Sequence, residues 1–522
     1  MRSNRSVTAK PVMSGNGNRL SLLTGAIALI VFTTAAQAQY GDVNERNADG
    51  STPLQWAVYE GDADAVRQLL EAGADVGLAN NYDVTAMSLA AEVADTQTLR
   101  MLLDAGADVE SPNADGQTAL MAVARTGNVE AARLLLERGA RVDAREAWGG
   151  QTAIMWAAAR RHPQMIALLA EHGANVNAAS AHRDYQRHVT AEGRPKNMDS
   201  GGLTPLLYAA RENCIDCVAT LLDLDADIDL PDPDGVTALH IAIMNANWDL
   251  AVALMDAGAD VNQWDIFGEA PLFTAVRLID RTDGGRASID PINLNSGRAI
   301  VERLLEEGAN PNMQLFFKPS NVRGTTNTRG ATPLIAAATN GDLETVELLL
   351  SHGADASVYM ADRQTPIHAV LAGRTAEPRA LEIMERLHTA GTDINVVALV
   401  NHREEVRGGT ALHYAARKRF KAVIEQLAQW GIDMDAVDQD GLTALDYTQS
   451  RGFMPFMALQ TPIFDDEATL LRELGATREV GAEPLWPVLG PPQGVWADIW
   501  PLGESRVHAP VYTHSAGEPV RD

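Results

Sequence analysis

The chain has 522 residues, 46% hydrophobic, 5% aromatic and 21% charged, a composition with ample apolar material for a core and not that of a wholly disordered protein. Forty-two Lys and Arg stand against 69 Asp and Glu, a formal net charge of −27 and a pI near 4.8, which disfavours general nucleic-acid binding because most of the surface would repel a phosphate backbone.

Residues 1–38 carry Arg2, Arg5, Lys10 and Arg19 and no acid, then an apolar run from Leu20 to Phe32, then Ala36-Gln37-Ala38. That order predicts a secretory signal peptide cut after Ala38, with an uncleaved anchor as the alternative. Thr24, Gly25 and Thr33 break the run and favour cleavage. No later segment reaches membrane-spanning length, so no stable membrane insertion is expected once the signal is removed.

From Asp49 the chain repeats one pattern: a polar-Gly pair, Thr-(Pro/Ala)-Leu, a small-residue helix, a turn, a Leu-Leu helix, then Gly-Ala-Asp. Copies begin at Asp49-Gly50, Asp115-Gly116 and Asp234-Gly235. The slot after the second helix falls at Gly73, Gly106, Gly139, Gly173, Asp225, Gly258, Gly308, Gly353, Gly391, Gly431 and Gly475, which defines eleven units. The commonest step is 33 residues, and insertions begin after the fourth unit. Thr52, Thr118, Thr204 and Thr332 are expected to cap the first helix of their units, with Pro53, Pro205, Pro333 and Pro366 at a position where a missing N–H costs nothing. Paired alanines such as Ala157-Ala158, Ala209-Ala210 and Ala415-Ala416 allow close helix approach, and Leu-Leu pairs such as Leu69-Leu70 fill the space between units. Glycine after the second helix suits a left-handed cap, so Asp225 predicts a looser helix end in the fifth unit.

The period, together with Thr365-Pro366-Ile367-His368-Ala369 and Thr410-Ala411-Leu412-His413-Tyr414-Ala415, resembles the ankyrin-repeat family, in particular exported bacterial-type members. The resemblance covers roughly residues 48–478. It implies an all-α, curved solenoid of helix-turn-helix units over 39–478, finger loops along one edge, and a protein partner bound on the concave and finger face without catalysis. His240, His368 and His413 occupy the family's His slot, where the imidazole bridges turn backbones. His172 and His352, each just before the glycine slot, read as structural donors at a helix C-terminus. The eleventh unit, stretched by Pro455 and Pro462, is expected to be a capping unit with one good helix.

The two cysteines, Cys214 and Cys217, form a C-x-x-C at the start of the fifth unit's second helix. In an oxidising compartment this predicts a structural disulfide; a redox-active pair and free thiols are the alternatives. Haem attachment and a four-sulfur zinc site do not fit, since Val218 follows Cys217 and no second Cys pair exists. The acid run Asp223, Asp225, Asp227, Asp229, Asp232, Asp234 invites a calcium reading. A loop starting at Asp225 would need Gly and Glu where Leu230 and Val236 stand, so an acid-rich finger is the plainer account. With no nucleotide, metalloprotease or hydrolase motif, neither an enzyme nor a bound cofactor or metal is expected.

Insertions are expected at 178–200, 279–297, 313–329 and 396–406. Three fall between units, on the finger edge; that at 279–297 lies inside the seventh unit and would emerge at the opposite edge. The first is a basic island with Tyr185, Arg187 and His188, and the third in chain order carries Phe316, Phe317 and Arg323. Arg beside aromatics is the composition of interface centres, so these residues are the candidate partner contacts, the alternative being that the loops pack back on the solenoid. An anionic ligand on these basic loops, or a redox role for the cysteine pair, is the rival to the scaffold reading. The tail, 479–522, holds seven of the 24 prolines and three of the nine tryptophans, hence an extended segment that either caps the stack or docks on a partner.

Overall fold

The computed structural model describes residues 42–182, 201–279, 295–315, 329–399, 408–439, 441–448 and 465–478. The signal segment, the tail and most of each insertion lie outside the described residues. Two compact units are present, divided between Ala181 and His182, and are here called the N-terminal and C-terminal arrays. Among the described residues all regular structure is helical, with extended pairing limited to isolated bridges.

The N-terminal array holds repeats one to four. Its first helices are Pro53–Glu60, Ala86–Val93, Ala119–Thr126 and Ala153–Ala159; its second helices are Ala63–Glu71, Thr96–Asp104, Val129–Glu137 and Pro163–Glu171. The C-terminal array holds repeats five to eleven. There the first helices are Pro205–Arg211, Ala238–Met244, Pro271–Leu278, Pro333–Asn340, Pro366–Ala372, Ala411–Lys418 and Ala444–Thr448, and the second helices run from Ile215–Asp223 to Asp465–Glu473. The eleventh repeat pairs a first helix of five residues, Ala444–Thr448, with the full second helix Asp465–Glu473.

Most first helices begin where their capping chemistry is. The hydroxyls of Thr52, Thr118, Thr204 and Thr332 accept from the backbone N–H three residues on, and Pro53, Pro205, Pro333 and Pro366 occupy the first turn. The paired alanines Ala157-Ala158, Ala209-Ala210 and Ala415-Ala416 are fully buried, and first helices of successive repeats pack directly on one another within each array. Leu69, Leu102, Leu135, Leu169, Leu221 and Leu254 fill the space between first and second helices.

All ten glycines of the slot have positive φ, and Asp225 takes the same left-handed conformation at φ 61°. The looser end expected at Asp225 is absent. Its N–H donates to Leu222 O at 3.1 Å and Ala226 N–H to Leu221 O at 3.0 Å, matching Gly258 to Met255 and Ala259 to Leu254 one repeat later. Aspartate is among the few residues with a chirality penalty small enough for neighbouring hydrogen bonds to hold it there.

The His slot is built as the resemblance implied. In repeats six, nine and ten the imidazole Nδ1 meets the capping Thr237, Thr365 or Thr410, and Nε2 bonds the carbonyl of Glu269, Gly409 or Leu442 in the next finger at 3.0, 3.1 and 3.0 Å. Burial pushes all three histidines down to about 4. Gln55 does the same work in repeat one, accepting from Thr52 N–H and donating to Leu78 O and Val84 O, and Asp446 accepts from Thr443 in repeat eleven. His172 and His352 bond the carbonyls of Leu168 and Leu348 with Nδ1, at their helix C-termini.

Candidate partner-binding surface

The fingers are tight polar turns tied to one another. In several, an Asn or Asp side chain closes the turn: Asn47 Oδ1 accepts from Asp49 and Ser51 N–H, and Asp232 Oδ1 from Asp234 and Val236 N–H; Glu146 does so before repeat four, accepting from Trp148, Gly149 and Gln151 N–H. Neighbouring fingers then bond backbone to backbone, as Asn81 N–H to Asp49 O at 3.0 Å, Ala147 N–H to Asp115 O at 2.8 Å and Ile266 N–H to Asp234 O at 2.9 Å.

A second ladder runs beneath them. The residue two places past the Gly-Ala-Asp aspartate position, or its equivalent before the first repeat, accepts the backbone N–H of that position in the next repeat. In the N-terminal array these are Asn44 to Asp75, Glu110 to Arg141 and Asp143 to Asn175. In the C-terminal array they are Asp229 to Asp260, Asn262 to Asn310, Asn312 to Asp355, Asn395 to Asp433 and Asp435 to Thr477. Asn262 and Asn312 also donate to Gly308 O and Gly353 O, so each clasps its neighbour twice. The sequence signal was present, an Asp or Asn at a fixed offset from the slot, but had been read only as finger acidity.

The ladder, the finger turns and the left-handed slot together account for four of the six acids in the run. Asp229 bonds Asp260 N–H and is raised from the usual carboxylate value, mainly by burial; Asp227 and Asp232 close turns, and Asp225 is the helix cap. Among the described residues no group of three or more His, Cys, Asp or Glu is arranged to hold a metal ion.

The sulfurs of Cys214 and Cys217 lie within bonding distance of each other, with Cys214 at the N-cap of Ile215–Asp223. Both are buried, at 5% and 0% exposure, which denies a macromolecular thiol access to either sulfur.

The expected partner contacts Tyr185, Arg187, His188, Phe316, Phe317 and Arg323 all lie outside the described residues. What is described is where those insertions leave the fold. His182 bridges Gly201, Ala398 bridges Gly409, and Leu315 exchanges hydrogen bonds with Gly330 and Ala331, so all three between-repeat insertions rise from paired stems at finger positions. The insertion inside repeat seven instead returns at Asn295, whose backbone and side-chain N–H groups donate to Asp249 at the start of Trp248–Asp256, on the edge away from the fingers.

Exposed large side chains mark a second surface, one that reading the sequence did not find. On the N-terminal array Trp56, Tyr59, Tyr82, Val93 and Trp148 are exposed, Tyr59 and Trp148 each at 72%. Trp56 and Tyr59 meet edge to face at 5.7 Å on the first helix of repeat one; Tyr82 and Trp148 stand on finger tips. The C-terminal array exposes only the aliphatic Ile215, Met244 and Ile266 among large hydrophobic side chains of the described residues. On the helices that follow, Val84, Leu89, Glu92, Gln117, Ala119 and Ala122 line an open cleft between repeats two and three. Glu92 at its rim pairs with Arg125.

A family model for ankyrin repeats, three copies to the model, matches residues 22–113, 89–180, 186–265 and 292–398, together more than half of the chain. Among curated proteins, the mouse B-cell lymphoma 3 protein homolog is 35% identical over 184 residues, covering 34% of this chain and 35% of that protein. The chicken nuclear factor NF-kappa-B p105 subunit is 29% identical over 235 residues, covering 44% and 20%. The match thus spans about a third or less of these relatives' own length. The crystal structure of the ankyrin repeat domain of Bcl-3 aligns with TM-score 0.36 and 27% identity, over 43% of this chain and 94% of that one. The Thr caps, the His slot, the left-handed turn and the matched model agree: the chain belongs to the ankyrin-repeat family.

Proposed function

We propose that this chain is a non-enzymatic scaffold that binds a protein partner along its fingers and first-helix surface, in the periplasm or outside the cell. The observation that carries the reading is the exposed aromatic set Trp56, Tyr59, Tyr82 and Trp148 on a fold whose other large side chains are mostly packed away. Aromatics left in water at the tips and inner helices of a rigid array are what hot spots are made of, and a preformed surface binds with little ordering cost. The between-repeat insertions rise from the finger edge and would add specificity around it. Export is supported by the basic, apolar and small-residue order of 1–38 and by the buried cysteine pair, which suits an oxidising compartment.

The test is crosslinking mass spectrometry of the full-length protein in its own cell-envelope extract, with a partner verified by reciprocal isolation. Crosslinks on the fingers and first helices between residues 56 and 148, or on the insertion stems, are expected. A partner bound through the second helices alone, or none at all where control complexes are recovered, overturns the scaffold reading.

A further inference from the structure

The aromatic surface of the first repeats sits on the more uniformly acidic part of the chain. Between residues 42 and 181 the sequence has 20 Asp and Glu against ten Arg and no Lys. Several of those arginines are already engaged away from the aromatic pair: Arg67 with Asp64, Arg100 with Glu130, Arg138 with Asp104 and Arg141 with Glu110. Arg46, the basic group nearest the first finger in sequence, is turned into the carbonyl of Ala79. Glu60 follows Tyr59 at the helix end and Asp83 follows Tyr82 at the finger tip; both are exposed and neither takes part in an ion pair among the described residues. The surface thus offers exposed π faces with a carboxylate next in the chain to each of Tyr59 and Tyr82, and a guanidinium or ammonium gains from both kinds of group.

We infer that this surface takes a basic, extended segment of the partner, in which an arginine or lysine packs on Trp56 and Tyr59 beside Glu60, Asp83 on the finger adds to the attraction, and an apolar side chain a few residues on enters the neighbouring cleft lined by Leu89 and Ala122. The inference deepens the scaffold reading and rests on it. Its spacing follows from the fold. Trp56, Leu89 and Ala122 hold one register position on the first helices of repeats one, two and three, which pack successively. Packed helices lie roughly 8–10 Å apart, and an extended chain advances about 3.3 Å per residue. One repeat is therefore covered by about three residues, and the step from the aromatic pair to the cleft by about four or five. Complementary charge then steers the encounter, since a basic segment is drawn to this array and an acidic one repelled.

The probe is a labelled peptide with two adjacent arginines, a Gly/Ser spacer of that length and one leucine, titrated into the full-length protein by fluorescence anisotropy and by tryptophan quenching. Binding is expected, weakened at least about tenfold by Trp56→Ala with Tyr59→Ala and by Glu60→Lys with Asp83→Lys, in line with the loss of a partly desolvated cation–π contact. Replacing the leucine of the peptide by serine should weaken it severalfold. All four protein positions reach solvent, and unchanged melting of each variant shows that the fold is kept. No binding, or binding that both variants leave unchanged, overturns the proposal, the latter because net charge alone would then hold the peptide. A tenfold gain on deleting 183–200 also overturns it, since the chain's own basic insertion would be the occupant. A verified partner crosslinked elsewhere, with the peptide unbound, sinks this inference and leaves the scaffold reading standing; peptide bound with no partner found does the reverse.

Discussion

Trp56, Tyr208, Tyr414 and Tyr447 are each the fourth residue of a first helix, yet Trp56 of the N-terminal array stands in water while the three tyrosines of the C-terminal array are buried. Trp56 is 44% exposed; Tyr208, Tyr414 and Tyr447 are exposed by 5, 4 and 3%. The difference is in what the neighbouring repeat supplies. Tyr414 lies edge to face with His368 at 5.4 Å, Tyr447 with His413 at 5.6 Å, and the Tyr447 hydroxyl donates to Asp438. Each of these histidine rings comes from the His slot of the preceding repeat, whereas Trp56 belongs to the first repeat, meets among the described residues only the ring of Tyr59 on its own helix, and has beside it Gln55, which is directed to the next finger through Leu78 O and Val84 O. The C-terminal array spends these tyrosines on cohesion between repeats, whereas the N-terminal array displays Trp56 and keeps Trp156, at the same position in repeat four, half-buried.

Breaking that cohesion should give the largest effect. His413→Ala removes the bridge from Thr410 to Leu442 O and opens a void under Tyr447, a loss of about 2–4 kcal/mol. Hydrogen exchange should rise sharply in repeats nine to eleven and stay unchanged in repeats one to four.

Acid separates the arrays next. An unfolded histidine takes a proton near pH 6.5, whereas His240, His368 and His413 take one only near 4. Their stabilisation is complete above pH 6.5 and is lost as pH falls from there through 4, by about 2 kcal/mol per histidine at pH 5. Denaturant titrations at pH 7.5 and 5 should show the C-terminal array weakening much more than the N-terminal one; equal shifts would refute the role of these three side chains.

Smaller effects sharpen the contrast. Asn312→Ala removes a clasp of two hydrogen bonds between repeats seven and eight and should cost about 1 kcal/mol, read as a lower melting temperature. Asp225→Gly relieves a left-handed aspartate and should stabilise by roughly 0.5–1 kcal/mol, raising the same melting temperature. Tyr59→Ser and Trp148→Ser should change stability by less than about 0.5 kcal/mol while reducing partner binding, because both rings are mostly in solvent already.

Whatever is fixed by local backbone needs was legible in the chain. Threonine caps, first-turn prolines and the glycine slot are each demanded by unpaired N–H groups or a left-handed turn, and those needs recur at a countable period. Gln55 and Asp446 escaped notice in the His slot because the slot requires an acceptor or donor reaching the cap and, in most repeats, the next finger, a demand that several side chains meet. Asp225 misled for a related reason: the absence of glycine was taken as a looser end, whereas the surrounding hydrogen bonds hold aspartate in the same conformation. The aromatic surface was not legible at all, since whether a ring at a given register is covered depends on the side chains of an adjoining repeat 30 or more residues away. The basic insertions stood out in the sequence by composition, but of them the structure describes only the stems.

The ladder of Asn and Asp clasps has a mechanical side. The partners of Asn262 and Asn312 lie 48 and 43 residues along the chain, yet in space each clasp joins adjacent repeats. An insertion within the span of a clasp is therefore bypassed: tension passes through the clasp and the packed helices rather than along the inserted segment. Pulled from its ends, such an array would yield one repeat at a time, releasing each insertion's length only after the clasp beside it opens. Loops at these positions can be lengthened, shortened or exchanged without altering the force that the neighbouring repeats transmit.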